Sequence, residues 1–150
     1  MPIHIDHIIV PARDKVESMN WISHLLGVEP GPVVEPFAVV ELGEANLDYM
    51  TVPEANLRYH HVALRVDEDH FEDILARVID AGIDHFGHPQ DPQDPAKGEI
   101  YYSNGGRGFY FWDPNGHAME IKTSRDSFDP EVQANDYTAP YVPAVPAGHR

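Results

Sequence analysis

The chain has 150 residues, enough for one domain that buries a core without a disulfide or metal staple. It holds no cysteine, which excludes disulfide scaffolds, cysteine-ligated zinc, iron–sulfur clusters and thiol catalysis, while ten histidines and twenty-five acidic residues remain as metal ligands. A formal net charge of −15 makes nucleic acid and anionic membranes poor partners.

The opening MPIHIDHIIV carries no basic stretch followed by a long apolar run. No segment approaches the ~20 apolar residues of a membrane-spanning helix. A soluble, cytoplasmic protein is therefore expected.

Residues 5–28 (IDHIIVPARDKVESMNWISHLLGV) and 60–83 (HHVALRVDEDHFEDILARVIDAGI) form an imperfect internal repeat. Each copy runs from a histidine and a short apolar strand into an amphipathic helix closed by a glycine, Gly27 or Gly82. In the second helix Phe71, Ile74, Leu75, Val78 and Ile79 follow the i, i+3, i+4, i+7, i+8 spacing. The first helix carries Val16, Met19, Ile22, Leu25 and Leu26. Strand-like runs follow at 37–42 and 46–52 in the first copy. In the second they lie at 99–104, 109–112 and 117–123, after a proline-rich loop over 85–98. Gly105-Gly106-Arg107-Gly108 and Asp113-Pro114-Asn115-Gly116 read as the turns between these strands. The expected fold is α+β, with two tandem βαβββ modules (1–54 and 55–124) in one domain. Together they form a half-open, barrel-like sheet with the helices outside. Residues 125–150 hold four prolines and no helical period, and read as an extended arm.

Side chains alternate between the faces of a strand, which separates candidate site residues from core. Val62, Leu64 and Val66 share one face of their strand, so His61 points to the other, concave side. His7 stands likewise opposite Ile8 and Val10, Glu120 opposite Met119 and Ile121, and Asp48 opposite Leu47 and Tyr49. The repeat matches His7 with His61 and Asp48 with Glu120, and a pseudo-twofold axis would bring all four to one centre. Imidazoles and carboxylates in this mixture suit one divalent metal ion such as Fe, Mn, Ni, Co or Zn. His4, His24, His70, His85, His88 and His149 read as loop or surface residues. His60 faces away from His61, His117 belongs to the turn before the last strand, and Trp21 and Trp112 read as packing.

The paired modules, the openings DHIIV and HHVALRV, and the ending FYFWDPNGHAMEI resemble the vicinal oxygen chelate superfamily of glyoxalases, bleomycin-resistance proteins and extradiol dioxygenases. The resemblance covers residues 3–124. It implies a glyoxalase-like fold, a divalent metal on His7, His61 and Glu120, and a small oxygen-bearing substrate that chelates the metal. In glyoxalase-type lyases the last strand of the first module supplies a fourth ligand, and Asp48 stands there, as a ligand or as a hydrogen-bond partner of water on the metal. Extradiol dioxygenases carry a tyrosine ten residues before the metal glutamate, matched by Tyr110, and a histidine where this chain has Tyr101, Tyr102 and Ser103. Fosfomycin transferases place a threonine where this chain has Ile9. Arg107 is a candidate clamp for a substrate carboxylate, or else a solvent-exposed hairpin tip. Tyr110 is a candidate donor to a bound oxyanion, or else core. The order of expected functions is a metal-dependent lyase or isomerase of glyoxalase type, with Glu120, Asp48 and Tyr110 as catalytic groups, then an Fe(II) dioxygenase, then a non-catalytic drug-sequestering protein. A homodimer is expected.

Overall fold

The computed structural model describes residues 1–87 and 97–126. The arm expected over 125–150 lies outside the described residues beyond Asp126, as do His88, His149 and the middle of the proline-rich loop.

The first module runs β1 (His7–Ala12), α1 (Lys15–Leu26), β2 (Val33–Val34), β3 (Phe37–Glu41) and β4 (Asn46–Thr51). A single 3₁₀ turn, Glu54–Asn56, leads to β5 (His61–Arg65), α2 (Glu68–Asp80), β6 (Tyr101–Ser103), β7 (Gly106–Trp112) and β8 (Ala118–Lys122). Each module is therefore βαβββ. The sheets have strand orders β1-β4-β3-β2 and β5-β8-β7-β6. The first strand of each module lies parallel to the last, and the remaining pairs are antiparallel. β1 and β5 are consequently sheet edges. The two-residue β2 was not among the expected strands, because so short a run shows no alternation.

Local chemistry accounts for the element ends. The Asp14 carboxylate accepts from the backbone N–H of Val16 and Glu17, both at 3.0 Å, and caps α1. Gly27 ends that helix in the left-handed conformation, at φ 70°. Asp67 caps α2 by accepting from His70 N–H at 2.8 Å. The β6–β7 hairpin turns on Asn104 (φ 53°) and Gly105 (φ 74°), a two-residue connection that matches strand twist. The turn expected at residues 105–108 is thus mostly strand: Gly106, Arg107 and Gly108 all belong to β7.

The two helices pack against each other, and one apolar core runs through both modules. It includes Val10, Ile22, Leu25 and Tyr49 from the first, and Phe71, Ile74, Phe109, Phe111 and Ile121 from the second. Trp21 joins them, its ring 6.0 Å from Phe111. Val16 and Ile79, expected on the apolar stripes, are 38% and 53% exposed. Ile79 stands roughly 80° around the helix from Phe71, at the limit of the sheet-facing stripe.

A buried polar seam ties the modules together. The fully buried His117 donates from Nε2 to Pro11 O at 2.6 Å and accepts at Nδ1 from His60 N–H at 3.0 Å. Asn115 accepts from Arg13 N–H and donates to Ser18 Oγ, both at 2.9 Å. Asp113 holds the turn by accepting from the backbone N–H of Asn115 and His117. The DPNGH segment is therefore a bolt from the second module into β1 and the start of α1.

Two outcomes are expected. Asn115→Ala removes the part-buried bond to Arg13 N–H and the buried bond to Ser18 Oγ, and should cost about 1–3 kcal/mol in urea unfolding. The Asp67 carboxylate is held below its ordinary pKa by the His70 backbone N–H and then by the His70 ring. Its charge thus contributes stability above the unfolded-state pKa that is lost as pH falls through the folded-state value. Unfolding free energies measured between about pH 5 and pH 2 should fall less steeply for Asp67→Asn than for the wild type.

Candidate metal centre

His61 sits at the start of edge strand β5, across from Ala118 on β8. Its Nδ1 lies 3.1 Å from Ala118 O. A carbonyl only accepts, so Nδ1 carries a proton, and a ring with that one proton keeps its lone pair at Nε2. That Nε2 is 3.0 Å from Glu120 Oε2. Two lone-pair-bearing atoms face one another, a contact that is favourable only with positive charge supplied, as a proton on Nε2 or as a metal ion. An imidazole oriented by a backbone carbonyl and set beside a carboxylate is the donor arrangement a divalent metal requires.

Glu120 is more deeply placed than strand alternation implies, at 6% exposure, because β8 is covered on both faces. Its other oxygen, Oε1, accepts from Tyr101 Oη at 2.5 Å. Burial alone would raise its pKa. Hydrogen bonds with His61 and Tyr101, the Lys122 charge and Tyr110 outweigh burial and hold the carboxyl below its ordinary value. Lys122, itself buried, stands 4.0 Å from Oε1 and pairs with Asp126. For Tyr101, burial and the adjacent Glu120 charge push the phenol far above its usual value, so it stays protonated.

The first module repeats the arrangement in register. His7 pairs with Asn46 and Ile9 with Asp48, as His61 pairs with Ala118 and Ala63 with Glu120. His7 Nδ1 is held by Asp6 Oδ2 at 2.6 Å, which again orients the ring and leaves Nε2 outward. The Asp6 hydrogen bond, and less strongly the Asp48 charge, raise the His7 pKa despite an opposing effect of desolvation. Asp48 Oδ1 is buried without a hydrogen-bond partner, so the site holds an acceptor that awaits a cation or a donor.

The expected meeting of all four residues is therefore only half realised within one chain. The structure brings His61 and Glu120 together, and sets His7 and Asp48 on one face of the other sheet. Among the described residues no group of three or more His, Asp or Glu side chains is placed to hold one metal. The residues present fit a divalent ion as two half-sites, each with an oriented imidazole and a carboxylate.

Two further candidates separate cleanly. Tyr110 pairs with Glu120 across β7–β8, with its ring centroid 6.0 Å from His61 and 5.3 Å from Tyr101, so it faces the half-site and not the core. Arg107 lies on the opposite face of β7. Its guanidinium bonds Glu68 at 2.7 Å, also pairs with Glu72, and stacks 4.3 Å from the Phe71 ring centroid. It staples β7 to α2, because the hairpin turns at 104–105 and puts Arg107 on the helix side. Tyr101 is the residue that sequence reasoning missed. It stands where a histidine was sought, and only the β6–β7 pairing reveals its reach to Glu120.

Glu120→Ala and His61→Ala should each abolish tight Co(II) binding, measured by titration against a chelating dye. Arg107→Ala should leave that affinity unchanged and lower stability by about 1 kcal/mol, through its lost ring stacking and partly exposed ion pairs.

No protein-family model matches the chain. Among solved structures it is similar to oxidase ChaP-H2, at 38% identity and a TM-score of 0.75, over 83% of this chain and 96% of that one. It is similar to oxidase ChaP-H1 at 35% identity and a TM-score of 0.73, over 83% of this chain and 98% of that one. A glyoxalase/dioxygenase from Nostoc punctiforme, 20% identical over 82% of this chain and 92% of that one, shares the fold at a TM-score of 0.60. With paired βαβββ modules in matched register and this degree of identity to full-length relatives, the chain belongs to the vicinal oxygen chelate superfamily.

Proposed function

We propose that the protein is a metal-dependent oxidase of small molecules that present two adjacent oxygen atoms, and that it works as a homodimer. The observation that carries the metal is the 3.0 Å approach of His61 Nε2 to Glu120 Oε2, with the ring oriented by Ala118 O. The likeness to two proteins named as oxidases, at 38% and 35% identity, supports oxidation over the lyase or isomerase chemistry that the sequence put first.

His61 and Glu120 of one copy, with His7 of the other, would hold the ion, and Asp48 would stand beside it. A reason to expect a second copy lies in the surface around His7. Ile9 on β1 is 43% exposed, and Ile3 and Ile5, in the segment just before the strand, are 99% and 68% exposed. Exposed isoleucines beside and on a free sheet edge make a surface to be covered. Covering it with a second chain would bring the two kinds of half-site together.

When bound, the metal supplies Lewis acidity to the chelating substrate oxygens and a route for electrons to dioxygen. The chain's own groups handle the protons and the pose. The unpaired Asp48 Oδ1 accepts the proton that a substrate hydroxyl loses on binding. Tyr110 flanks His61 on the open face and orients the substrate by hydrogen bonding. Tyr101 keeps its own proton on Glu120, so that carboxylate remains an anion.

A second reading, lyase or isomerase chemistry, is favoured by one observation. Asp48 lies at the register position of Glu120 with a buried free oxygen, as a fourth ligand would. The test is metal analysis of protein purified without chelator, then anaerobic Fe(II) loading and oxygen-electrode assays with catechols, hydroquinones and hydroxyketones. Oxygen uptake that requires the metal is the expected result. Turnover of these compounds without oxygen uptake would move the assignment to the second reading, and absence of bound metal would overturn both.

A further inference from the structure

The second sheet contains a gap whose only evident use is to let one side chain cross it. Tyr101 on edge strand β6 pairs with Gly108 on β7, and Gly108 pairs with Lys122 on β8. To reach Glu120, the Tyr101 side chain must lie across the whole width of β7. It does so over Gly108, where a Cβ would fall inside the van der Waals envelope of the phenol oxygen and ring. A glycine in a strand interior costs stability and usually marks a close approach. Here the approach ends in the 2.5 Å hydrogen bond from Tyr101 Oη to Glu120 Oε1. Tyr110, whose ring centroid is 5.3 Å away, walls the phenol on the other side.

We propose that Tyr101, threaded through the space left by Gly108, is a positioning residue for Glu120. It occupies Oε1 and so presents Oε2 alone toward His61 Nε2. The inference rests on the assignment of Glu120 as a metal ligand, and adds a selector that fixes which carboxylate oxygen is offered. Without the phenol, Glu120 can turn both oxygens toward the cation or swing away toward Lys122, which is 4.0 Å from Oε1. Groups that orient a ligand from behind are typically worth about 10–100-fold in metal affinity.

The experiment is Co(II) binding to the full-length protein, followed by dye competition and by the visible d–d absorption, alongside thermal melting. Tyr101→Phe keeps the ring and removes only the donor. It should weaken Co(II) binding by about 10–100-fold and alter the absorption bands, in a protein that still melts in one cooperative transition. Gly108→Ala should give the same loss by displacing the phenol, and the double variant should be no weaker than either single one, as for a shared path. Tyr102→Phe, at an exposed neighbouring phenol, should match the wild type. A Tyr101→Phe protein with wild-type affinity and spectrum overturns the positioning role while leaving Glu120 as a ligand. Wild-type affinity in Glu120→Gln overturns the ligand assignment and the inference with it.

Discussion

In each module the first strand lies parallel to the last, in one register, and that pairing places a histidine beside a carboxylate. His7 and Asp48 are brought onto one face by β1 and β4, and His61 and Glu120 by β5 and β8. A slip of one residue in either ladder would turn these groups into the core and bring apolar ones out. The packing opposes that slip, since Val10, Leu47, Tyr49, Val62, Met119 and Ile121 all occupy the buried side. The hydrophobic core thus sets the position of the polar face.

The two half-sites differ in how far they are finished. Glu120 is almost fully buried, bonded by Tyr101 with Lys122 nearby, and Tyr110 lies beside the more exposed His61. His7 stands on an open edge among exposed isoleucines, oriented only by Asp6. The seam of Asp113, Asn115 and His117 fixes the modules against each other without closing a four-residue centre. One finished and one open half-site suit the proposed pairing of two chains, because the open half then has a surface on which to dock. The same enclosure gives Glu120 its low pKa. Hydrogen bonds and a nearby ammonium overcome the penalty of burial, so the carboxylate is an anion before any cation arrives.

Much of this was legible from residue order, and the failures have physical causes. Alternation in HHVALRV and in HAMEI was enough to put His61 and Glu120 on one face, because each strand has a clear apolar side. The run FYFW has bulky residues on both sides, so only strand pairing shows that Tyr110 faces Glu120 while Phe109 and Phe111 enter the core. Arg107 was misread because three glycines draw the turn toward residues 105–108, whereas the Asn104-Gly105 pair has the positive φ angles a tight hairpin needs. Tyr101 carried only its place among the three residues where a histidine was sought. Its role depends on a neighbour across the sheet lacking a side chain, which no local pattern encodes. The proposed union of half-sites across two chains is equally invisible to a periodicity argument, since symmetry within the chain and symmetry between chains predict the same four residues.

Heterodimers built from two defective chains separate those possibilities. One chain carries His7→Ala and the other Glu120→Ala, each with a different affinity tag so that the mixed dimer can be purified. If each centre joins the first module of one chain to the second module of the other, the mixed dimer keeps one intact centre and loses the other. It should then bind about half as much Co(II) as the wild-type dimer, while each parent homodimer binds none tightly. A mixed dimer that binds no Co(II) would place each centre within a single chain and contradict the shared-site account.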